Sequence, residues 1–185
     1  MIEEVYEDLR GSMEKSLAAL ERDFRKVRTG RASTALLEGI TVEAYGSSSP
    51  LNQVASLSAP EPRLLMVQPW DKTIIGDVEK AILKSELGLT PMNDGKVIRI
   101  TVPPLSQERR VELVRVTKKM AEEAKVAMRN ARRSANEMLK ELKAEKEISE
   151  DEMYKATDEV QKITDSYTAK VDKVASTKET EIMEF

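Results

Sequence analysis

Seven cations in one stretch are the residues best placed to do chemistry: Lys118, Lys125, Arg129, Arg132, Arg133, Lys140 and Lys143. At about 100° per residue they fall within a helical sector of roughly 100°. The densest part is Arg129-Asn-Ala-Arg132-Arg133. Guanidinium groups on a rigid helix can grip phosphates bidentately, and such binding weakens steeply with salt. No aromatic residues are interleaved with the cations, which argues against stacking on single strands and for contact with folded RNA or duplex. Two plainer readings stand beside this one. A long helix needs charge on its solvent face, and some of these cations could pair with the acid-rich segment that follows.

The rest of the composition limits the alternatives. The 185 residues include no Cys and no His, so thiolate nucleophiles, Cys/His zinc sites, Ser-His-Asp triads and disulfides are excluded. Carboxylates, Lys, Tyr and hydroxyls remain for acid–base work, which leaves an enzyme poorly equipped. Asp71 is the candidate that looks most like a base, and it reads better as a helix N-cap. No metal and no cofactor is expected. The start, Met1-Ile2-Glu3-Glu4, is acidic where a signal peptide is basic, so a soluble, cytoplasmic protein without a membrane span is expected.

The net charge of -3 conceals a strong asymmetry. Residues 1–31 carry seven acids and seven bases, and residues 32–105 carry eight acids and six bases. Residues 106–146 carry seven acids and twelve bases, and residues 147–185 carry eleven acids and five bases. The cationic sector therefore lies in the one basic segment of an acidic chain.

Three long helices must position it. Ile2, Val5, Leu9, Met13, Leu17, Leu20, Phe24 and Val27 alternate at spacings of three and four, which predicts a helix over residues 2–29 with one narrow apolar stripe. Gly30 follows a basic last turn and reads both as its C-cap and as a hinge. A second helix is expected after Pro103 and Pro104, N-capped by Ser106. Its stripe comprises Ala121, Ala124, Met128, Ala131, Ala135, Met138 and Leu142. Ser149 and Glu152 form a capping box for a third helix, with a stripe of Ala156, Val160, Ile163, Tyr167, Val171 and Val174. The nine Met residues mostly occupy stripe positions and read as core filler. Lengths of about 40, 60 and 50 Å suggest a bundle with coiled-coil-like packing. The short link at residues 145–149 makes the last two helices antiparallel neighbours.

Residues 31–104 read differently. All seven Pro residues lie between Pro50 and Pro104, and six of seven Gly residues between Gly30 and Gly95. Short strands are predicted at 40–45, 53–57, 64–68 and 97–102, with a turn over 46–50 and another at Asn93-Asp94-Gly95. A helix is predicted from Asp71 through Ile74, Val78, Ala81, Ile82 and Leu87, stopping at Gly88. Trp70 is expected to pack in the core or a turn. The fold class is thus α+β: a long antiparallel three-helix bundle (1–30 and 105–185) with a small α+β domain (31–104) inserted between helices one and two.

Four separated segments resemble the signatures of ribosome recycling factors. They are Lys26-Val-Arg-Thr-Gly-Arg-Ala-Ser33, Glu79-Lys-Ala-Ile-Leu-Lys-Ser-Glu-Leu-Gly-Leu-Thr-Pro91, Pro103-Pro-Leu-Ser-Gln-Glu-Arg-Arg110 and Val126-Ala-Met-Arg-Asn-Ala-Arg-Arg133. The likeness extends over the whole chain to Lys178-Glu-Thr-Glu-Ile-Met-Glu-Phe185. It implies an L-shaped protein, similar in outline to transfer RNA, with a hinge at Gly30, Arg31, Pro104 and Leu105. It implies a monomeric, non-enzymatic factor that acts with elongation factor G and GTP to split post-termination ribosomes into subunits. The bundle would lie on large-subunit ribosomal RNA, with Arg28, Arg31, Arg129, Arg132 and Arg133 as the RNA-contacting arginines. Lys118 and Lys125 extend that face along the same helical sector. Ser134 departs from the family pattern, which usually has an acid there, and raises the local positive charge.

Two rivals belong to other classes. A coiled-coil scaffold would explain the long helices but neither the Gly/Pro-rich insert nor the cationic sector. It would self-associate in analytical ultracentrifugation. A hydrolase built on carboxylates of residues 32–105 lacks an evident pair of acids in a cleft.

Overall fold

A computed structural model describes residues 1–184. In chain order the elements are α1 (Ile2–Lys26), β1 (Thr41–Ala44), β2 (Ser47–Pro50), α2 (Leu51–Val54), β3 (Ala55–Glu61), β4 (Leu64–Pro69), α3 (Ile75–Lys84), β5 (Pro91–Asn93), β6 (Ile98–Thr101), α4 (Gln107–Ala144) and α5 (Glu150–Glu184). Short 3-10 turns lie at Thr34–Leu37 and Lys72–Ile74. The chain divides into two compact units, one of Met1–Val27 with Gln107–Glu184 and one of Arg28–Ser106.

The first unit is a bundle of α1, α4 and α5. Val5, Leu9, Met13, Leu17, Leu20 and Phe24 of α1 are all buried, as the three–four spacing requires. On α4 the buried stripe runs Leu113, Thr117, Ala121, Ala124, Met128, Ala135 and Leu139. Ala131, Met138 and Leu142 are only partly buried, so the seam starts two turns earlier than its alanines suggest and shifts to Leu139 at the far end. Ala156, Val160, Ile163 and Val171 of α5 complete the core, with Tyr167 and Val174 at its margin. The capping box forms in full: the Ser149 N–H donates to Glu152 Oε2 (2.7 Å) and the Glu152 N–H to Ser149 Oγ (3.2 Å). The Ser149 N–H, helped by the Ser149 side chain, holds the Glu152 carboxyl below the usual carboxylate range.

α1 ends at Lys26, three residues sooner than its sequence pattern suggests, and Val27 leaves in an extended conformation. Val27 and Thr29 are β-branched and favour that geometry. Gly30 is therefore not a helix C-cap. It sits in the left-handed region at φ +78°, where a Cβ would lie 3.3 Å from Leu105 Cγ.

The second unit holds a hairpin and a four-stranded antiparallel sheet of order β3-β4-β6-β5. Leu65 pairs with Ile100 and Val67 with Ile98. These four residues are buried and share one core with Val78 and Ile82 of α3. The unit departs from its sequence pattern at several points. The predicted turn over 46–50 is instead strand β2, paired from Thr41↔Pro50 to Ala44↔Ser47. The turn itself is Tyr45 and Gly46, both with positive φ, as a two-residue hairpin demands. The predicted strand at 53–57 begins only at Ala55, after the helical turn α2. Asp71 caps the 3-10 turn that leads into α3, its Oδ1 accepting from the Thr73 N–H at 2.9 Å, and α3 stops at Lys84, well before Gly88. Trp70 is 71% exposed and packs in no core. Most Met residues do lie in the bundle stripes: Met13 and Met128 are buried and Met120, Met138 and Met153 pack partly buried against that core, while Met92 and Met183 are exposed.

Candidate nucleic-acid interface

α4 carries the cationic sector, and its small buried residues bring the helix against α5. Three residues seven apart on α4, Lys118, Lys125 and Arg132, run along the seam between the two helices. Lys118 Nζ lies 3.6 Å from Glu179, and Lys125 forms an ion pair with Asp172, one heptad back along α5. The same step leads next to Asp165, opposite Arg132. Yet Arg132 does not pair with that carboxylate. Its Nη1 donates to Gln161 Oε1 at 3.1 Å, while Gln161 Nε2 donates to Asp165 Oδ1 at 2.8 Å. Near the end of α4, Lys143 Nζ reaches Glu150 at 3.3 Å.

The outer part of the sector holds Arg129, Arg133 and Lys140, all exposed. Arg129 Nη2 lies 2.7 Å from Glu122 Oε1, two turns back on the same helix. The guanidinium holds the Glu122 carboxyl below its ordinary range, and this exposed pair remains open to competition from a stronger anion. Neither Arg133 nor Lys140 makes an ion pair or hydrogen bond among the described residues. Ser134 is exposed beside them and supplies no acid. Lys118 to Arg133 spans about 22 Å of helix, enough for several consecutive phosphates.

Arg28 and Arg31 belong to the smaller unit, unlike the seven cations of the α4 sector. Arg28 Nη1 donates to the Leu87 carbonyl at 3.2 Å, and the Ala32 N–H donates to the Pro62 carbonyl at 2.6 Å. Residues 28–32 are thus bound to the smaller unit, with Thr29, Gly30 and Ala32 buried and Arg31 exposed. On the return crossing Pro104 is exposed and Leu105 half-buried. The residues that the cationic pattern alone overlooks are Gln161, Asp165 and Glu122. The heptad step through Lys118, Lys125 and Arg132, set against an i,i+4 Gln–Asp pair on the next helix, is the signal that finds Gln161 and Asp165; Glu122 lies two turns before Arg129 on α4 itself.

Among the described residues no group of acids could hold a metal ion, and no helix is long and apolar enough to cross a membrane. A long three-helix bundle, interrupted after its first helix by a small antiparallel α+β unit, is a distinctive class of fold. The comparisons narrow it. The family model described as Ribosome recycling factor matches residues 20–183. The ribosome-recycling factor of Syntrophobacter fumaroxidans is 58% identical over 184 residues, covering 100% of both chains. That of Shouchella clausii is 54% identical over 184 residues, again with 100% of both covered. A solution structure of ribosome recycling factor aligns with TM-score 0.77 and 43% identity, covering 100% of this chain and 98% of that one. The T. thermophilus factor, described with E. coli elongation factor G on the E. coli post-termination complex, aligns with TM-score 0.66 and 49% identity, covering 99% of each. The chain belongs to the ribosome recycling factor family.

Proposed function

We propose that this protein acts with elongation factor G and GTP to dissociate post-termination ribosomes into subunits. It does so as a monomeric cytoplasmic factor, by binding and being moved rather than by catalysis. The bundle binds large-subunit ribosomal RNA through α4, where Arg129, Arg132 and Arg133 contact phosphates and Lys118 and Lys125 raise the local potential. The observation that carries this reading is the cluster of arginines at residues 129–133 on one helix, with Arg129 and Arg133 exposed and Arg132 half-buried, in a chain whose family is a ribosome factor. The related T. thermophilus factor occurs with elongation factor G on the post-termination complex, which supports the same partnership here.

The smaller unit receives the push of elongation factor G, and motion occurs about the crossings at Gly30, Arg31, Pro104 and Leu105. Gly30 packs against Leu105 within the smaller unit, which ties the two crossings together. Backbone rotation at these two joined single-strand crossings carries the motion. Arg28 gives one guanidinium N–H to the Leu87 carbonyl and keeps its other donors for RNA.

Cosedimentation with large ribosomal subunits across a salt series tests the reading. Binding that falls steeply with salt is expected. Absent or salt-independent binding would overturn it.

A further inference from the structure

The seam between α4 and α5 treats its three regularly spaced cations unequally. Lys118 and Lys125 each meet a carboxylate. At the third position the corresponding carboxylate, Asp165, accepts from the Gln161 amide, and Arg132 donates to the carbonyl end of that same amide. The directions are fixed by chemistry. A carboxylate can only accept, so it draws the NH2 end of Gln161 toward itself and leaves the carbonyl oxygen facing the guanidinium.

We infer that Gln161 and Asp165 are positioning residues for Arg132, holding its guanidinium in place through a neutral amide so that its full charge stays available to a phosphate. The inference rests on the phosphate-binding reading of α4 given above. A direct Arg132–Asp165 pair would order the side chain equally well but would neutralise it, and phosphate would then have to displace a carboxylate. An amide acceptor orders the side chain without that competition. Arg132 is half-buried, so its stem is already packed against the bundle, and the single bond to Gln161 orients the head. Five guanidinium N–H groups leave donors for a phosphate after one is given to the amide. Lys118 and Lys125, neutralised by the seam, serve the bundle first and RNA second.

The experiment uses the full chain and purified large ribosomal subunits, with dissociation constants measured over a salt series and melting followed in parallel. Arg132→Ala sets the reference: weaker binding, with the salt slope reduced by about one. Gln161→Glu places a carboxylate on Arg132 and should reproduce both changes, weakening binding about tenfold at low salt without lowering the melting temperature. Gln161→Ala frees the guanidinium but leaves its charge, so binding should weaken about threefold with the slope unchanged. Asp165→Ala lets the amide turn over and should lie between Gln161→Ala and the wild type. A normal salt slope and affinity for Gln161→Glu, with Arg132→Ala defective, would overturn the positioning role and leave the RNA face standing. An Arg132→Ala protein that binds normally would instead overturn the RNA face itself.

Discussion

The bundle and the inserted unit are built on opposite principles. In the bundle, three apolar stripes repeat over many turns, and any one side chain is fixed by neighbours above and below it on the same helix. Seam residues are then placed by arithmetic, one heptad at a time. In the smaller unit no helix exceeds the ten residues of α3, and the strands have three to seven residues. Their geometry is decided at single positions: the left-handed Tyr45 and Gly46, the Asp71 and Asp94 side chains that bind nearby N–H groups, and Gly30 against Leu105. A rigid, periodic scaffold suits a surface that must match phosphates over some distance. A unit pinned by a few local contacts suits a part that is moved.

The largest way to break this comparison is to cut between the units. Replacing residues 28–106 by a short Gly/Ser linker should leave α1, α4 and α5 folded, because all their core partners lie outside the excised stretch. Strong helical circular dichroism and a cooperative melt are expected. Leaving 28–32 behind would instead leave buried residues without their cover.

Next comes a cavity in one unit. Leu139→Ala should lower the stability of the bundle by about 3 kcal/mol, and Leu65→Ala should do the same to the smaller unit. Hydrogen exchange resolved by residue should show protection lost mainly in the unit that carries the substitution.

Single-position control in the smaller unit predicts a smaller effect. Gly30→Ala forces a left-handed alanine whose Cβ crowds the Leu105 side chain, at a cost of about 1–2 kcal/mol read from urea unfolding. The matching test in the bundle is Ser149→Ala, which removes half of the capping box and should cost about 1 kcal/mol, fraying the start of α5.

Acid sharpens the contrast without mutation. The Tyr45 hydroxyl and the Thr73 N–H hold Asp71 below the usual carboxylate range, and the Val97 and Lys96 N–H groups do the same for Asp94. Both folded values lie under the unfolded ones, so the stability they contribute is present above the ordinary carboxylate pKa and is lost as pH falls through the lowered values. NMR shifts of Thr73 should therefore follow Asp71, and those of Lys96 and Val97 should follow Asp94, each moving below about pH 4, and Asp94→Asn should abolish the change at its own turn.

What was legible in the sequence follows the same division. The α1 stripe, the capping box at Ser149 and Glu152, and the strands around Leu65 and Ile100 could be read because period or capping chemistry repeats within each signal. Strand β2 could not: Ser47, Ser48 and Ser49 look like a turn, and only the ladder with β1 makes them a strand. Trp70 lies at the bend that follows β4, where its backbone N–H donates to the Val54 carbonyl, but its apolar side chain stays exposed rather than entering the core. Gly30 suggested a C-cap because a basic turn precedes it, whereas its left-handed φ serves a contact with Leu105, distant in sequence. At the interface the cationic sector was visible, but which cations the seam uses depends on the register of α5 against α4. Composition showed that the acids of α5 were available; only the packed helices show that two carboxylates meet Lys118 and Lys125 while an amide meets Arg132.

The central claim is that the ordered arginines of α4 form a phosphate-binding face rather than a bundle-stabilising one. A salt titration of large-subunit binding by Arg132→Ala, beside its melting curve, tests it most directly. Weaker binding, a slope lower by about one, partial rescue by Arg132→Lys, and a melting temperature close to that of the wild type are expected. Normal binding with an earlier melt would contradict it, and would make Arg132 a strut between α4 and α5.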